Sequence, residues 1–135
     1  MILNKDVITS RNNPFVKFVC SLHDKKGRED EKAFIAEGHK LVFEAIDAGL
    51  PVSECIIMQS RMGEYMDRLS STLEVKGYEK TRVTIVDDGV FEKISTEKSP
   101  QGIIAVIKYL DFFKYMDIIY KEDFFLGADE KAIIL

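Results

Sequence analysis

The apolar positions of the chain change period several times, and each change marks an element. Asn13-Pro14 reads as a helix cap followed by proline at the first helical position. Phe15, Phe18, Val19 and Leu22 then recur at helical spacing, which predicts a helix over 14–23. Lys25–Asp30 is polar throughout and reads as a break. Ala33-Phe34-Ile35-Ala36 predicts a short buried strand closed by Glu37-Gly38. Leu41, Val42, Ala45 and Ile46 predict a helix that stops at Ala48-Gly49. Beyond Pro51, Glu54–Gln59 suits a buried strand, and Met62, Tyr65, Met66, Leu69 and Leu73 form a helical stripe ending near Gly77. Arg82–Val86 is rich in β-branched residues and predicts a strand. Asp87-Asp88-Gly89 caps a short helix carrying Val90, Phe91 and Ile94, and Pro100-Gln101-Gly102 turns into a strand over Ile103–Tyr109. The order α-βα-βα-βα-β predicts an α/β fold, a three-layer α-β-α sandwich around a small, partly parallel sheet.

The tail departs from this pattern. Asp111–Leu126 holds Phe112, Phe113, Tyr115, Tyr120, Phe124 and Phe125, an aromatic density that seldom faces water without a partner. Lys131–Leu135 reads as the opening of another buried strand. Residues 1–110 are therefore expected to form one domain, and 111–135 a linker and the first strand of a second.

Composition narrows the class. The chain has 135 residues, 46% of them hydrophobic and 31% charged, which supports one real core and excludes disorder and low complexity. No apolar run reaches membrane-spanning length, and the N-terminus lacks a signal-peptide core. Two cysteines, Cys20 and Cys55, make no disulfide framework and point to a reducing cytoplasm. The net charge of −4 excludes a protein that coats nucleic acid by bulk charge. Locally the balance differs, since residues 5–28 carry six basic side chains against two acidic ones. Such a segment is either a phosphate-binding patch or a solvated helix face.

Candidate chemistry is sparse. There is no G-x-G-x-x-G motif and no P-loop. Cys20, His23, His39 and Cys55 could make a metal set, but without paired C-x-x-C spacing buried structural cysteines are the simpler reading. Ser95–Lys98 matches S-x-x-K with the partner motifs of that enzyme class missing, and Asp87-Asp88 is explained by a helix cap. No catalytic, cofactor or metal residue is assigned. What remains is a set of polar loops at strand ends: Ser10–Asn13, Lys25–Arg28, Glu37–Lys40 and Lys98–Gly102, with His39 the most interesting titratable group. Arg and Lys position phosphates there, helix N-terminal amides receive them, and Asn or Gln reads base edges in unpaired RNA. Gly38 and Gly102 either admit a ligand close to the backbone or simply turn the chain.

Three blocks then carry a family resemblance. Ile8–Lys17 resembles the opening of the SpoU (TrmH-type) RNA ribose 2′-O-methyltransferases. Arg28, Ala33–Gly38 and Leu41–Ala45 resemble the next block of that family, and Val90–Ser95 with Ser99–Val106 the third. The resemblance implies an N-terminal α/β domain that grips RNA, similar in fold to small ribosomal and kink-turn RNA-binding proteins. It implies a separate knotted domain that binds S-adenosylmethionine and carries the catalytic motifs, none of which is present here. Lys131–Leu135 resembles that domain's first strand. The positions matching RNA-facing motifs are Ser10, Arg11, Asn13, Lys17, Arg28, Glu37, Gly38 and Gln101, with His39 and Lys98 in the same loops. A carboxylate repels phosphate, so Glu37 is expected to pair with Arg28 and orient its guanidinium. The partners expected are structured ribosomal or transfer RNA and the absent catalytic domain. A stand-alone RNA-binding module and a dimerisation module using the aromatic tail are the alternatives.

Overall fold

Strand-forming runs of Ile, Val and Ala alternate with amphipathic helices, and the computed structural model, which describes residues 1–110, assembles them into three layers. In chain order the elements are β1 (Ile2–Leu3), α1 (Pro14–Ser21), α2 (Lys25–Glu31), β2 (Ala33–Glu37), α3 (His39–Asp47), β3 (Val52–Met58), α4 (Met62–Val75), β4 (Arg82–Val86), α5 (Asp88–Ile94) and β5 (Ile103–Lys108). The strands form one sheet in the order β1-β4-β3-β5-β2. β1, β4 and β3 are parallel, while β5 runs antiparallel to both β3 and β2. Four strands thus point one way and β5 alone points back.

Strand periodicity sends alternate side chains to opposite faces. Cys55, Ile57, Val83, Ile85, Ile103, Ala105 and Ile107 pack on one side against Val42, Phe43 and Ile46 of α3 and Tyr65, Leu69 and Leu73 of α4. Ile56, Met58, Val86, Ile104 and Val106 pack on the other side against Val16 and Val19 of α1 and Val90, Phe91 and Ile94 of α5. Each of the larger side chains contributes about 1.5–3 kcal/mol by leaving water. The expected α-β-α sandwich with a partly parallel sheet is what forms. Its caps are those the local spacing indicated: Asn13 Oδ1 accepts from the Phe15 amide at 2.8 Å, and Asp87 Oδ1 from the Val90 amide at 2.8 Å.

Two elements differ from expectation. The polar stretch read as a break is helix α2, capped by Asp24 and bearing the i,i+4 pairs Lys26–Asp30 at 2.7 Å and Lys25–Glu29 at 3.9 Å. None of its residues is buried, so it has no apolar period to read. Gly27 explains how it fits, since a Cβ there would stand 1.7 Å from the Ser21 carbonyl oxygen at the end of α1. β1 was not anticipated either, because its two residues are a pair of exposed apolar side chains added at the sheet edge. Among the described residues no helix is long and apolar enough to cross a membrane. The aromatic tail and the strand expected at Lys131–Leu135 lie outside the described residues.

Candidate nucleic-acid interface

β2, β3 and β4 all end at one pole of the sheet, and β5 begins there, so their loops form a common rim. Ligand sites in open α/β sheets favour this carboxyl-end edge. Ile8 bridges to Val86, and its carbonyl accepts from the Asp87 amide at 2.9 Å, which brings the Ser10–Asn13 turn to the same pole.

Within that turn, Ser10 Oγ accepts from the Asn12 amide at 3.2 Å and Asn13 caps α1. The oxygens of both side chains are thus engaged with local backbone. Arg11 is exposed, and its carbonyl accepts from Lys93 Nζ at 3.0 Å. A Cβ at Gly89 would lie 3.5 Å from an Arg11 Nη atom, so the guanidinium rests against the first turn of α5. Lys17 is exposed on α1, and Lys98 is exposed in the loop before β5.

The centre of the rim is an interlock between the end of β2 and the start of β5. Gly38, at φ 97°, donates its N–H to the Ile103 carbonyl at 3.0 Å, and its missing side chain leaves the Gln101 Oε1 atom 3.2 Å from where a Cβ would stand. That same Oε1 accepts from the His39 backbone N–H at 2.9 Å and faces His39 Nδ1 at 2.5 Å. Because Oε1 is the acceptor for the amide, Nδ1 must carry a proton too, and neutral His39 turns a bare Nε2 outward. The Gln101 NH₂ group is left as a donor beside it. On the other side of the turn, the Gln101 carbonyl accepts from the buried Tyr65 hydroxyl at 2.8 Å.

Glu37 does not pair with Arg28. Its carboxylate accepts from the Ser95 hydroxyl, from the Thr96 amide at 3.0 Å and from the Thr96 hydroxyl at 3.2 Å. Arg28 instead donates through Nη1 to the carbonyls of Leu22 at 3.1 Å and His23 at 3.0 Å. The unpaired carbonyls at the end of α1 attract a cation, and the hydroxyls beside Glu37 satisfy its charge without one. The Ser95 hydroxyl of the S-x-x-K match is accordingly a structural donor. Cys20 and Cys55 are both free, on opposite faces of the sheet, and among the described residues no three potential metal ligands gather. Burial pushes the Cys55 thiol up to about 12.

The structure therefore joins Gly38, His39 and Gln101 in direct contact and sets Arg11 on the same rim. Arg28 is committed to α1, and Lys17 makes no hydrogen bond with the interlock. Sequence reading overlooked Tyr65, Ser95 and Thr96, and it also overlooked Arg61. The sequence shows Tyr65 only as part of an apolar stripe, Ser95 and Thr96 pair across the chain with Glu37, and Arg61 makes a local pair with Glu64 that resembles an ordinary helix-surface contact.

Residues 13–105 match the family described as the MRM3-like substrate binding domain. The chain belongs to this family. No curated protein sequence matches it. Among solved structures it is similar to an AdoMet-bound rRNA methyltransferase from Sinorhizobium meliloti, at 26% identity and a TM-score of 0.62 over 78% of this chain and 37% of that one. It is also similar to a putative RNA methyltransferase of the TrmH family from Porphyromonas gingivalis, at 26% identity and a TM-score of 0.52 over 71% of this chain and 34% of that one. The SpoU methyltransferase AviRb from Streptomyces viridochromogenes shares the fold, with 16% identity and a TM-score of 0.53 over 73% of this chain and 34% of that one. The chain thus spans little more than a third of the length of these proteins. The SpoU/TrmH resemblance read from the three sequence blocks agrees with the family match and with these neighbours.

Proposed function

We propose that the rim is an RNA-gripping surface and that residues 1–110 serve as the substrate-recognition domain of an RNA ribose 2′-O-methyltransferase. The observation that carries this reading is the interlock. Motif residues far apart in sequence, Gly38, His39 and Gln101, meet at the pole that also holds Arg11, within a domain of the MRM3-like substrate-binding family. The Gln101 NH₂ and His39 Nε2 offer a donor and an acceptor to the edge of an unpaired base, and Arg11, with Lys98 in the neighbouring loop, offers charge to phosphate. Structured ribosomal or transfer RNA is the substrate class, and the setting is cytoplasmic.

S-adenosylmethionine would supply the methyl group to the complete enzyme, but the described residues do not fit it. Every buried side-chain N or O atom among them already has a partner, so none awaits a cofactor. None of the cavities of about 470, 430 and 400 Å³ is lined by the interlock residues: the first is bordered by Ser10, Asn13, Glu54 and Arg82, the others by residues such as Lys80 and Glu74. In this reading methyl transfer is carried by a separate domain.

A fluorescence titration with structured rRNA and tRNA fragments at low and moderate salt tests the reading. Binding is expected to be weak and salt-sensitive, because the net charge is −4, and Arg11→Ala or Gln101→Ala should weaken it several-fold. Absence of binding at both salt concentrations overturns the reading. Methyl transfer by the purified chain with S-adenosylmethionine alone would overturn the division of labour.

A further inference from the structure

Arg61 occupies a place that helix stability disfavours. It is the N-terminal cap of α4, where Ser, Thr, Asp or Asn would bond the first free amides, and its side chain makes no capping bond. A cation there faces the positive end of the α4 dipole, while also closing the short 3-10 turn Gln59–Arg61 that leads into the helix. What Arg61 does at this position is therefore read from its surroundings.

Its surroundings hold it in one pose. Gly102 is buried at φ 93°, and a Cβ on it would stand 2.7 Å from Arg61 Cγ and 3.0 Å from Arg61 Cβ. The arginine stem therefore lies flat on the Gly102 backbone. At the far end, Nε donates to Glu64 Oε2 at 2.6 Å. The Tyr65 hydroxyl is a second side-chain neighbour of the guanidinium, and the side chain remains 39% exposed. Glu64 and Tyr65 thus hold the guanidinium on one side, and its five N–H donors exceed what these two partners use. The Tyr65 hydroxyl and then Glu64 push its pKa further up, so the charge is permanent. The exposed Arg61–Glu64 pair is by itself too weak to account for the placement.

We propose that Arg61 is a further RNA-binding residue of the rim, taking the nonbridging oxygens of one backbone phosphate on its remaining N–H donors. Gly102, beyond allowing the turn, is the platform on which its stem lies. Pre-setting a planar fork in this way suits phosphate, which accepts two parallel N–H bonds. The inference rests on the rim's being the RNA interface, and it adds a phosphate clamp next to Gln101. Ser60, the preceding residue, donates its N–H to Asp88 Oδ1 at 3.1 Å, which ties this clamp to the α5 turn under Arg11.

The test measures affinity across a salt series for two RNAs of unrelated sequence, a ribosomal hairpin and a tRNA transcript. Wild type, Arg61→Ala, Arg61→Lys and Arg11→Ala are compared, with thermal unfolding of each. Arg61→Ala should weaken both RNAs alike, roughly fivefold to tenfold, and lower the slope of log affinity against log salt by about 1. Arg61→Lys should recover only part of the loss. If Arg11→Ala weakens binding while Arg61→Ala stays within about twofold of wild type, the clamp is wrong and the interface stands. If wild type binds neither RNA, both fall. Should the alanine variant unfold, a folded Arg61→Lys with wild-type affinity and salt slope overturns the clamp.

Discussion

Glu37 shows how one carboxylate can sit beside the proposed phosphate-binding surface without spoiling it. Two hydroxyls and an amide from Ser95 and Thr96 surround it, so its charge is directed inward and it anchors the loop that carries Lys98 and Gln101. Glu37→Ala should therefore lower stability by about 1–3 kcal/mol and weaken RNA binding, while Glu37→Gln, which keeps an acceptor, should lose less of both. Paired denaturation and titration measure the two effects. Glu54 is a different case, a half-buried carboxylate on the central strand β3 beside Arg82 of β4 at 3.7 Å. Burial pushes its pKa up despite the opposing pull of Arg82 and Lys108. The sign follows from linkage: the folded state holds this proton more tightly than the unfolded chain. The penalty is absent below the ordinary value of 4.5, grows as pH rises through it and is complete above the folded value. Glu54→Gln should then be at least as stable as wild type at pH 7, and the advantage should vanish in chemical denaturation below pH 4.5. Residues such as Asn13 and Asp87 were legible from sequence because a cap bonds within three residues. Glu37 was not, since Ser95 lies 58 residues away and nothing local distinguishes it from a partner for Arg28.

At the level of elements, the legible ones are those whose apolar side chains repeat. α1, α3, α4, α5 and four of the strands bury such a set, whereas α2 buries none and is stabilised by its cap and ion pairs. Its end carries a cost. Lys32, the residue that turns α2 into β2, adopts φ 54° and ψ 46°, the left-handed conformation that L-residues other than Gly and Asn disfavour. Lys32→Gly should stabilise the protein by about 0.5–1 kcal/mol, seen as a raised midpoint in urea at an unchanged slope. An unchanged or lowered midpoint would mean that the lysine side chain contributes more than its backbone strain removes.

At the scale of the whole molecule, the alternation of elements was enough to indicate two helical layers around a sheet, because the central strands β3, β4 and β5 bury both of their faces. Strand order was not accessible in the same way. That β5 inserts between β3 and β2 is decided by long-range pairings such as Ile57 with Ile103 and Ile35 with Val106. This placement also decides how the molecule is used. β5 starts on the rim and is the one strand that runs away from it, with Lys108 opposite Ala33 at the far end. Six residues of strand amount to about 20 Å. The described domain therefore ends, at residue 110, about one sheet-height from the rim proposed to hold RNA, which fixes the distance between that rim and the point where the chain leaves the sheet.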